Sequence, residues 1–400
     1  MTERRRVLLV AEAVSLAHVA RPVVLASALA GDHEVTVASA PVFDLCFRGT
    51  GLARESLESI PAATFLQRLA AGAPLYTKAE LARYVDEDVA LLRRLRPDAV
   101  IGDFRLSLSV SARVAGIPYF ALCNAHWSPW ALHDRFPLPD ISLTRVLGPR
   151  LAEPLFRLGQ PIAFRLHAGP LNAMRRKFGL STFPDVRYAY TDGDRTLYAD
   201  TPALVPVRPD CPAHHHYIGP IVWSPAMALP AWWTALPDGP LAYVTLGSTG
   251  RVDLLPELFR ALEDCGVNAM TATAGRSDVA SPGPHCFVAD YLPGLEAAAR
   301  SDFVICNGGS ATVYQALSQG RPVIGVCSNM DQFLTMARVV DAGVGIALRA
   351  GTAGYSDLAA AIRRISGPTG AAFREAARAV QADFLRHDAG EGIRRQIATL

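Results

Sequence analysis

Short apolar runs alternate with helical patterns along the whole chain. In the first half, apolar side chains fill most of 6–11, recur at helical spacing over 17–30 and return as a short run at 34–38. Strands of a parallel sheet are buried on both faces and are joined by helices, so this alternation is typical of an α/β fold. Further strands are predicted at 98–102, 119–122, 241–247, 269–274, 303–306, 322–326 and 345–348, with helices over 254–265 and 371–398.

The alternation of strands and helices begins at residue 6 and begins again at residue 241, and this predicts two domains. A chain of 400 residues is long enough to bury two cores. We predict an N-terminal domain over 1–215, a linker over 216–240 and a C-terminal domain over 241–385. The linker is placed where prolines and tryptophans interrupt the periodic patterns. The last stretch, 386–400, is expected to be a helix end that packs back on the first domain.

Residues 125–190 are less regular than the rest and rich in aromatic side chains. Two interpretations stay open for them. Such an insertion can wall a pocket for an apolar ligand, or it can form a helical subdomain with a small core of its own.

Charge and composition exclude several classes of protein. Lys and Arg number 39 against 37 Asp and Glu, so the formal net charge is +2, which predicts no general attraction to nucleic acid or to an anionic membrane. The chain is 50% hydrophobic and 19% charged, which argues against disorder. No apolar run approaches the roughly 20 residues that span a bilayer, and the N-terminus lacks the pattern of a signal peptide. A cytoplasmic location without a membrane span is therefore expected.

Metal binding is not expected. The seven cysteines are scattered without a C-x-x-C pair, which indicates reduced and mostly buried thiols. His214, His215 and His216 lie in the proline-rich connector, and three consecutive side chains of a regular element cannot all face one ion. We therefore predict neither a metal nor another cofactor.

The strongest chemical motif is the segment 304–312. A buried strand runs into Gly308 and Gly309, and a helix is predicted to start near Ser310. Glycines let the backbone approach a ligand, and the first turn of a helix offers unpaired N–H groups at its positive end. This geometry binds phosphate, and Ser310 or Thr312 adds a hydroxyl donor. The lysine of a nucleoside-triphosphate loop is missing.

An ordered series of short motifs extends this segment. It comprises Thr245-Leu246-Gly247-Ser248, Tyr291-Leu292-Pro293, Asn307-Gly308-Gly309, Gln315-Ala316-Leu317, Gly320-Arg321-Pro322, Met330-Asp331-Gln332 and Gly343-Val344-Gly345. The series resembles the nucleotide-sugar-binding signature of family 1 glycosyltransferases of the GT-B fold, in particular the bacterial natural-product or macrolide type. The resemblance implies two Rossmann-like domains whose parallel sheets face each other across a cleft.

The resemblance also implies roles for the donor site. Ser248, Gly309, Ser310 and Thr312 would hold the diphosphate, in the turn formed with Asn307 and Gly308, and Tyr291 would face the base. Gln315 would reach the ribose, and Asp331 and Gln332 would bind hydroxyls of the donor sugar. Two positions depart from the family pattern, which has His at Asn307 and Glu at Gln315. For two of these residues a purely structural role is the alternative. Ser310 would then only cap a helix, and Asp331 would only place a negative charge in the first turn of a helix.

The N-terminal half supplies the candidate base. His18 follows the first predicted strand in a segment similar to the family's G-H-x-x-P motif, although Ala17 replaces the glycine and Pro22 comes one residue late. The resemblance implies that this histidine deprotonates the acceptor and that Asp103 supports it. Imidazole titrates near pH 6.5 and is a usable base at neutral pH. A solvated helix-start histidine and a capping aspartate are the alternatives.

A second loop follows the strand predicted at 119–122. His126 there is the runner-up base, and His126, Trp127 and Trp130 are predicted to line the acceptor pocket. Core packing is an equally open interpretation for the two tryptophans.

These observations predict an inverting glycosyltransferase that acts without a metal. Its partners would be a nucleotide-sugar donor, either a UDP- or a dTDP-sugar, and a small apolar acceptor with a hydroxyl group. Two alternatives remain open: a catalytically silent nucleotide-sugar-binding partner or scaffold, and a nucleotide-sugar epimerase. The sugar, the acceptor and the oligomeric state are not indicated by the sequence.

Overall fold

The structure of the chain is a computed structural model that describes residues 4–132, 135–276 and 283–400. These residues form two compact units. The first unit takes the described residues of Met1–Asp134, Ile141–Ile221 and His387–Leu400. The second takes those of Arg135–Asp140 and Val222–Arg386.

The first unit is built on a sheet of seven parallel strands in the order β3-β2-β1-β4-β5-β6-β7. Its strands are β1 (Arg6–Ala11), β2 (Glu34–Ser39), β3 (Ala53–Ser56), β4 (Ala99–Asp103), β5 (Tyr119–Cys123), β6 (Arg195–Tyr198) and β7 (His215–Tyr217). The helices between them are α1 (Leu16–Leu29), α2 (Ala62–Ala71), α3 (Lys78–Leu95), α4 (Leu108–Ala115), α5 (Ser142–Lys177) and α6 (Val186–Tyr190). The strand order reverses between β1 and β4, at the centre of the sheet.

The second unit is built on six parallel strands in the order β10-β9-β8-β11-β12-β13. The strands are β8 (Leu241–Thr245), β9 (Asn268–Ala272), β10 (Cys286–Ala289), β11 (Phe303–Cys306), β12 (Val323–Cys327) and β13 (Gly345–Arg349). The helices are α7 (Leu255–Asp264), α8 (Gly294–Arg300), α9 (Ser310–Ser318), α10 (Met330–Asp341), α11 (Tyr355–Ser366) and α12 (Gly370–Phe384). Here the order reverses between β8 and β11.

The last helix, α13 (Ala389–Ala398), returns to the first unit and packs on α1. The contact is close, because a Cβ atom on Gly390 would lie 3.0 Å from the side chain of Ala28. Small residues at this point allow the two helices to approach.

The predicted α/β class with two parallel sheets is confirmed, and the predicted strands lie within one or two residues of the observed ones. Three expectations differ from the structure. The helix predicted over 371–398 is two helices, α12 and α13. The predicted linker 216–240 begins inside β7, and Trp233 within it is buried. The irregular region 125–190 contains α5, a helix of 36 residues with a kink at Gly148.

No helix in the described ranges combines the length and apolar character that crossing a membrane requires.

Candidate active site

Two loops of the first unit come together where its strand order reverses. β1 and β4 are neighbours, with Ala11 opposite Asp103. His18 lies in the first turn of α1, which follows β1, and Asp103 is the last residue of β4. Parallel α/β sheets bind ligands outside the carboxyl ends of their strands at such a reversal. The structure therefore brings His18 and Asp103 to the place where this kind of sheet holds a ligand.

The imidazole of His18 contacts the carboxylate of Asp103. Nδ1 of His18 lies 2.7 Å from Oδ1 of Asp103. The carboxylate is fully buried, whereas the imidazole is 22% exposed. Because a carboxylate can only accept, Nδ1 carries the hydrogen of this bond, and in the neutral imidazole the lone pair is then on Nε2. A histidine held in this way can take a proton from an incoming group at Nε2.

A third group, Arg21, was missed in the sequence. Its Nε donates to Oδ2 of Asp103 at 2.7 Å, and a terminal nitrogen donates to Oδ1 at 2.6 Å. The other terminal nitrogen donates to Asn124 at 2.7 Å, and Asn124 donates to Asp200 at 2.9 Å. Burial by itself would raise the pKa of Asp103, but the attraction of Arg21 and His18 outweighs it and holds that pKa below its usual value. The carboxylate therefore stays ionised and fixed in place.

A buried ion pair joins the same two loops. Glu12 follows β1 directly, and Arg105 lies two residues beyond β4. A guanidinium nitrogen of Arg105 lies 3.0 Å from the carboxylate of Glu12, and a second lies 2.9 Å from Asp88 on α3. Removing one partner of such a buried pair costs about 3–5 kcal/mol, since it leaves an uncompensated charge. The ion pair thus links the segments that follow β1 and β4, next to His18 and Asp103.

Aromatic rings line one side of His18. Phe104 has a φ of 59°, in the left-handed region, and its ring stacks on the imidazole with the centroids 4.7 Å apart. The ring of Tyr190 stacks on that of Phe104, with the centroids 5.6 Å apart. The ring of Trp127 packs edge-on against that of Tyr190, with the centroids 5.2 Å apart. A left-handed conformation of a bulky residue costs about 1–3 kcal/mol and is typical of functional sites. The strained turn aims Phe104 at His18.

The other predicted acceptor residues are placed differently. His126 is only 1% exposed, so its imidazole is less accessible than that of His18. Trp130 is half-buried and packs against His215, with ring centroids 4.9 Å apart. Trp127 connects to His18 through the rings of Tyr190 and Phe104, and the ring of His126 lies 6.3 Å from that of Trp127.

An apolar pocket opens beside these rings. It is a shallow cleft, with an enclosed volume of about 10 Å³, the space of about one water molecule. It is lined by Leu75, Tyr76, Leu81, Leu106, His167, Pro170, Leu171, Val186 and Tyr190. Tyr76 is 4% exposed, and its hydroxyl has no hydrogen-bond partner among the residues that the structure describes. A buried hydroxyl without a partner is costly, so it is a candidate contact for a ligand group.

The second unit places the predicted phosphate turn at its own strand reversal. α9 begins at Ser310, directly after the turn that follows β11, and its N-cap residue is Gly309, which has no side chain that could cap the helix. Gly308 has a φ of 82°, and a Cβ there would lie 2.7 Å from Sγ of Cys327. Only glycine fits this position. The Asn307 side chain accepts from the Gly309 amide at 3.2 Å, so this amide is already used within the turn.

Thr249 connects this turn to its neighbours and was not predicted. It lies in the loop after β8, and its Oγ1 accepts from the amide groups of Asn307 at 3.0 Å and Gln332 at 3.3 Å. A hydroxyl has two acceptor positions and one hydrogen. Because both acceptor positions are filled, the hydrogen of Thr249 is left for a further acceptor. Ser248 precedes it in the same half-buried loop.

The predicted sugar- and ribose-binding amides are used inside the protein. Gln332 is 2% exposed, forms a capping box with Asn329 and also accepts from Ser328 at 2.8 Å. Both ends of its amide are engaged, which disfavours a direct contact with a sugar. Gln315 is 8% exposed and donates to the carbonyl of Trp223 at 2.5 Å. A ribose hydroxyl would have to donate to the remaining amide oxygen of Gln315.

Three further donor-site predictions can be placed. Thr312 is half-buried on the first turn of α9, and Asp331 is half-buried on the first turn of α10. Tyr291 is 37% exposed, and its hydroxyl donates to the carbonyl of Ala274 at 3.3 Å. These positions are compatible with the predicted roles, which stay predictions.

Arg276 is an additional cation beside the loop after β8. Its guanidinium donates to the carbonyls of Gly247 at 3.0 Å and Gly250 at 2.8 Å, on either side of Ser248. The sequence analysis overlooked it because it belongs to none of the motifs. An exposed arginine here places a positive charge next to the predicted diphosphate position.

Two of the three consecutive histidines, His215 and His216, belong to a strand of the first sheet and not to a connector. His215 belongs to β7, and its Nδ1 lies 2.5 Å from the hydroxyl of Tyr198. Burial, and then the charges of His214 and His216, lower the pKa of His215 to about 4. Within residues 4–132, 135–276 and 283–400, no three His, Cys, Asp or Glu side chains are grouped in a way that could hold a metal ion.

Residues 262–400 match the model of the family described as "Erythromycin biosynthesis protein CIII-like, C-terminal domain". The chain is 46% identical over 387 residues to a "PGL/p-HBAD biosynthesis glycosyltransferase" of Mycobacterium tuberculosis, covering 96% of this chain and 90% of the relative. It is 49% identical over 349 residues to a "PGL/p-HBAD biosynthesis rhamnosyltransferase" of Mycobacterium bovis, covering 86% and 77%. An "Inactive PGL/p-HBAD biosynthesis glycosyltransferase" of Mycobacterium bovis is 46% identical over 265 residues, covering 66% and 72%.

Solved structures share the fold at lower identity. Spinosyn forosaminyltransferase SpnP superposes with a TM-score of 0.71 at 19% identity, over 99% of both chains. Spinosyn rhamnosyltransferase SpnG complexed with thymidine diphosphate gives 0.69 at 19%, over 98% of this chain and 99% of that one. SpnG complexed with spinosyn aglycone gives 0.69 at 20%, over 97% and 99%. The chain therefore has the GT-B fold and belongs to the family of the mycobacterial PGL/p-HBAD biosynthesis glycosyltransferases.

Proposed function

We propose that this glycosyltransferase transfers a sugar, with inversion, from a thymidine- or uridine-diphosphate donor to a hydroxyl of a small apolar acceptor. The observation that carries the proposal is the His18–Asp103 contact of 2.7 Å at the strand reversal of the first unit. The first unit would bind the acceptor and the second the donor. The SpnG complex with thymidine diphosphate and the rhamnosyltransferase name of one relative favour a thymidine-diphosphate deoxysugar.

His18 would act as the general base. Its Nε2 would take the proton of the acceptor hydroxyl while the acceptor oxygen forms a bond to the anomeric carbon. On the opposite side of that carbon, the bond to the phosphate oxygen would break, and its electron pair would leave with the nucleoside diphosphate. The configuration at the anomeric carbon is inverted in such a single displacement. Asp103, held by Arg21, would stabilise the imidazolium that forms.

The second unit would bind the charge of the leaving diphosphate. The first-turn amides of α9 and the hydroxyls of Ser248 and Thr249 would donate to its oxygens. Asn307 is neutral where the family has histidine, so the turn itself supplies no cation. Arg276 would supply that positive charge, since it already bonds the carbonyls on either side of Ser248. No metal ion would be required, and treatment with a chelator should leave the rate unchanged.

The acceptor would lie against the aromatic rings beside His18. Phe104, Tyr190 and the pocket next to them offer apolar surface, and the hydroxyl of Tyr76 offers one polar contact. This combination suits a largely apolar molecule with few polar groups. The enclosed position of His126 favours His18 as the base.

A donor panel with a mixed phenolic and macrocyclic acceptor library tests the proposal, read as a mass increase equal to one sugar. Calorimetric titration with UDP, TDP and GDP should show binding of a pyrimidine nucleotide. Product without acceptor would identify an epimerase instead. Binding without transfer to any acceptor would identify a silent partner, an alternative favoured by the internal bonds of Asn307 and Gln315 and by the relative named inactive. Absence of both binding and transfer would overturn the proposal.

A further inference from the structure

One face of α5 exposes a continuous row of large apolar side chains. The row consists of Leu151, Leu155, Leu158, Ile162 and Leu166, which are between 51% and 80% exposed. Their spacing of four, three, four and four residues places them along a single face of the helix. The opposite face is buried in the first unit through Phe156, Phe164 and Ala168.

This concentration differs from the rest of the surface. Thirteen large apolar side chains are exposed in the described part of the chain, and seven of them lie on α5, including Val146 and Leu147. Single exposed apolar residues are common, but a contiguous apolar patch of this kind usually marks a surface that binds a partner.

The charges beside the row indicate the nature of that partner. Arg145, Arg150, Arg157 and Arg165 are exposed on α5, and Glu153 is its only acidic residue. Two copies of the chain paired through this row would bring together two helices of like net charge, which is unfavourable. An amphipathic helix with leucines on one face and arginines beside them is typical of helices that lie in the surface of an anionic bilayer.

We propose that α5 docks this glycosyltransferase on an anionic lipid bilayer. The apolar row would enter the boundary between headgroups and acyl chains, and the four arginines would contact lipid phosphates. The helix would lie on the membrane and not cross it, in keeping with its arginines and its four internal prolines. The net charge of the whole chain is only +2, so the attraction is local to this helix. The proposal uses no residue of the active site and does not depend on the proposed reaction.

Flotation of the full-length protein with vesicles tests the docking. We expect binding to vesicles that contain phosphatidylglycerol, at least about 10-fold tighter than to phosphatidylcholine alone, and weaker binding at high salt. Replacing Leu158, Ile162 and Leu166 together by glutamine should weaken binding at least about 10-fold. The matched control is Leu385→Gln, which removes a leucine that is 80% exposed outside α5 and should have no effect.

Charge is tested by a second set of variants. Replacing Arg150, Arg157 and Arg165 together by glutamine should weaken binding on the order of 100-fold, since each basic residue near an anionic surface contributes about 1 kcal/mol. Arg48→Gln, at an exposed arginine outside α5, should have no effect. Thermal unfolding should show that all variants are folded.

Three outcomes would overturn the proposal. The first is no binding of the wild type to anionic vesicles. The second is equal binding of the wild type and the apolar-row variant. The third is a concentration-dependent dimer in ultracentrifugation that the apolar-row variant converts to monomer, because the row would then cover a second copy.

Discussion

Replacing His18 by alanine removes the imidazole while leaving the buried carboxylate paired. Asp103 keeps its two bonds to Arg21, at 2.7 and 2.6 Å, so the penalty for an uncompensated buried charge does not arise. The loss of the ring contact with Phe104 costs about 0.5–1.5 kcal/mol of unfolding free energy. The variant should therefore fold.

The kinetic effect should be much larger than the effect on stability. A positioned general base accelerates proton transfer about 10²- to 10⁴-fold, which corresponds to about 3–5 kcal/mol of activation free energy. We expect kcat of His18→Ala to fall by that factor. Nucleotide affinity should change less than about twofold, because the residues proposed to bind the donor lie in the second unit.

The assay combines initial rates at saturating donor and acceptor with calorimetric titration of the nucleoside diphosphate. His214→Ala, at an exposed histidine outside the site, is the control and should retain full activity. Asp103→Asn is the companion variant: kcat should also fall, and the unfolding free energy should drop by about 3–5 kcal/mol because Arg21 loses its counter-charge. A rate of His18→Ala within about tenfold of wild type, or an equal loss of nucleotide affinity, would refute the role of His18 as base.

Three more predictions concern charge, pH and packing. Arg276→Gln should raise the Kd of the nucleoside diphosphate about 10- to 150-fold, measured by calorimetry, since a bond to a charged group contributes about 1.5–3 kcal/mol; an unchanged Kd would contradict the charge role. Burial lowers the pKa of His215 to about 4 in the folded chain, against about 6.5 in an unfolded one. The unfolded chain therefore binds the extra proton first, so the free energy of unfolding should be unaffected by this group above about pH 6.5 and should fall as the pH drops towards 4. Urea unfolding at several pH values should show that His215→Gln flattens this dependence and that His214→Gln does not. Gly308→Ala should lower the unfolding free energy by about 3 kcal/mol, because its φ is 82° and the new Cβ would meet sulfur at 2.7 Å; a melting temperature equal to that of wild type would contradict this packing.

Apolar periodicity predicted nine of the thirteen strands that the described residues form, and it missed β3, β6, β7 and β10. β1 and β11 are buried on both faces, and such strands appear in the sequence as uninterrupted apolar runs. β7 could not be predicted in the same way, since its three residues include two histidines and it is recognised only through pairing with β6. The proximity of His18 and Asp103 followed from a resemblance and from the rule that parallel strands end at a common edge.

The remaining parts of the site depend on contacts between distant residues. Thr249 is 58 residues from Asn307 and 83 from Gln332, so no local sequence pattern indicates that their side chains are in contact. Two signals were nevertheless present in the sequence. Arg21 comes three residues after His18 on one helix face, and Asn329 precedes Gln332 at the spacing of a capping box.

The return of the chain to the first unit determines how related enzymes can be recombined. Helix α13 follows the second unit in the sequence, yet it supports α1, the helix that carries His18. A chimera joined at one point near residue 221 would bring a foreign α13 against the native α1. Since a Cβ on Gly392 would come within 2.5 Å of the carbonyl oxygen of Ile218, a foreign helix without glycine at this position would not fit. An exchange of donor specificity therefore requires two junctions, near 221 and 386, so that the last residues stay with the helix that they support.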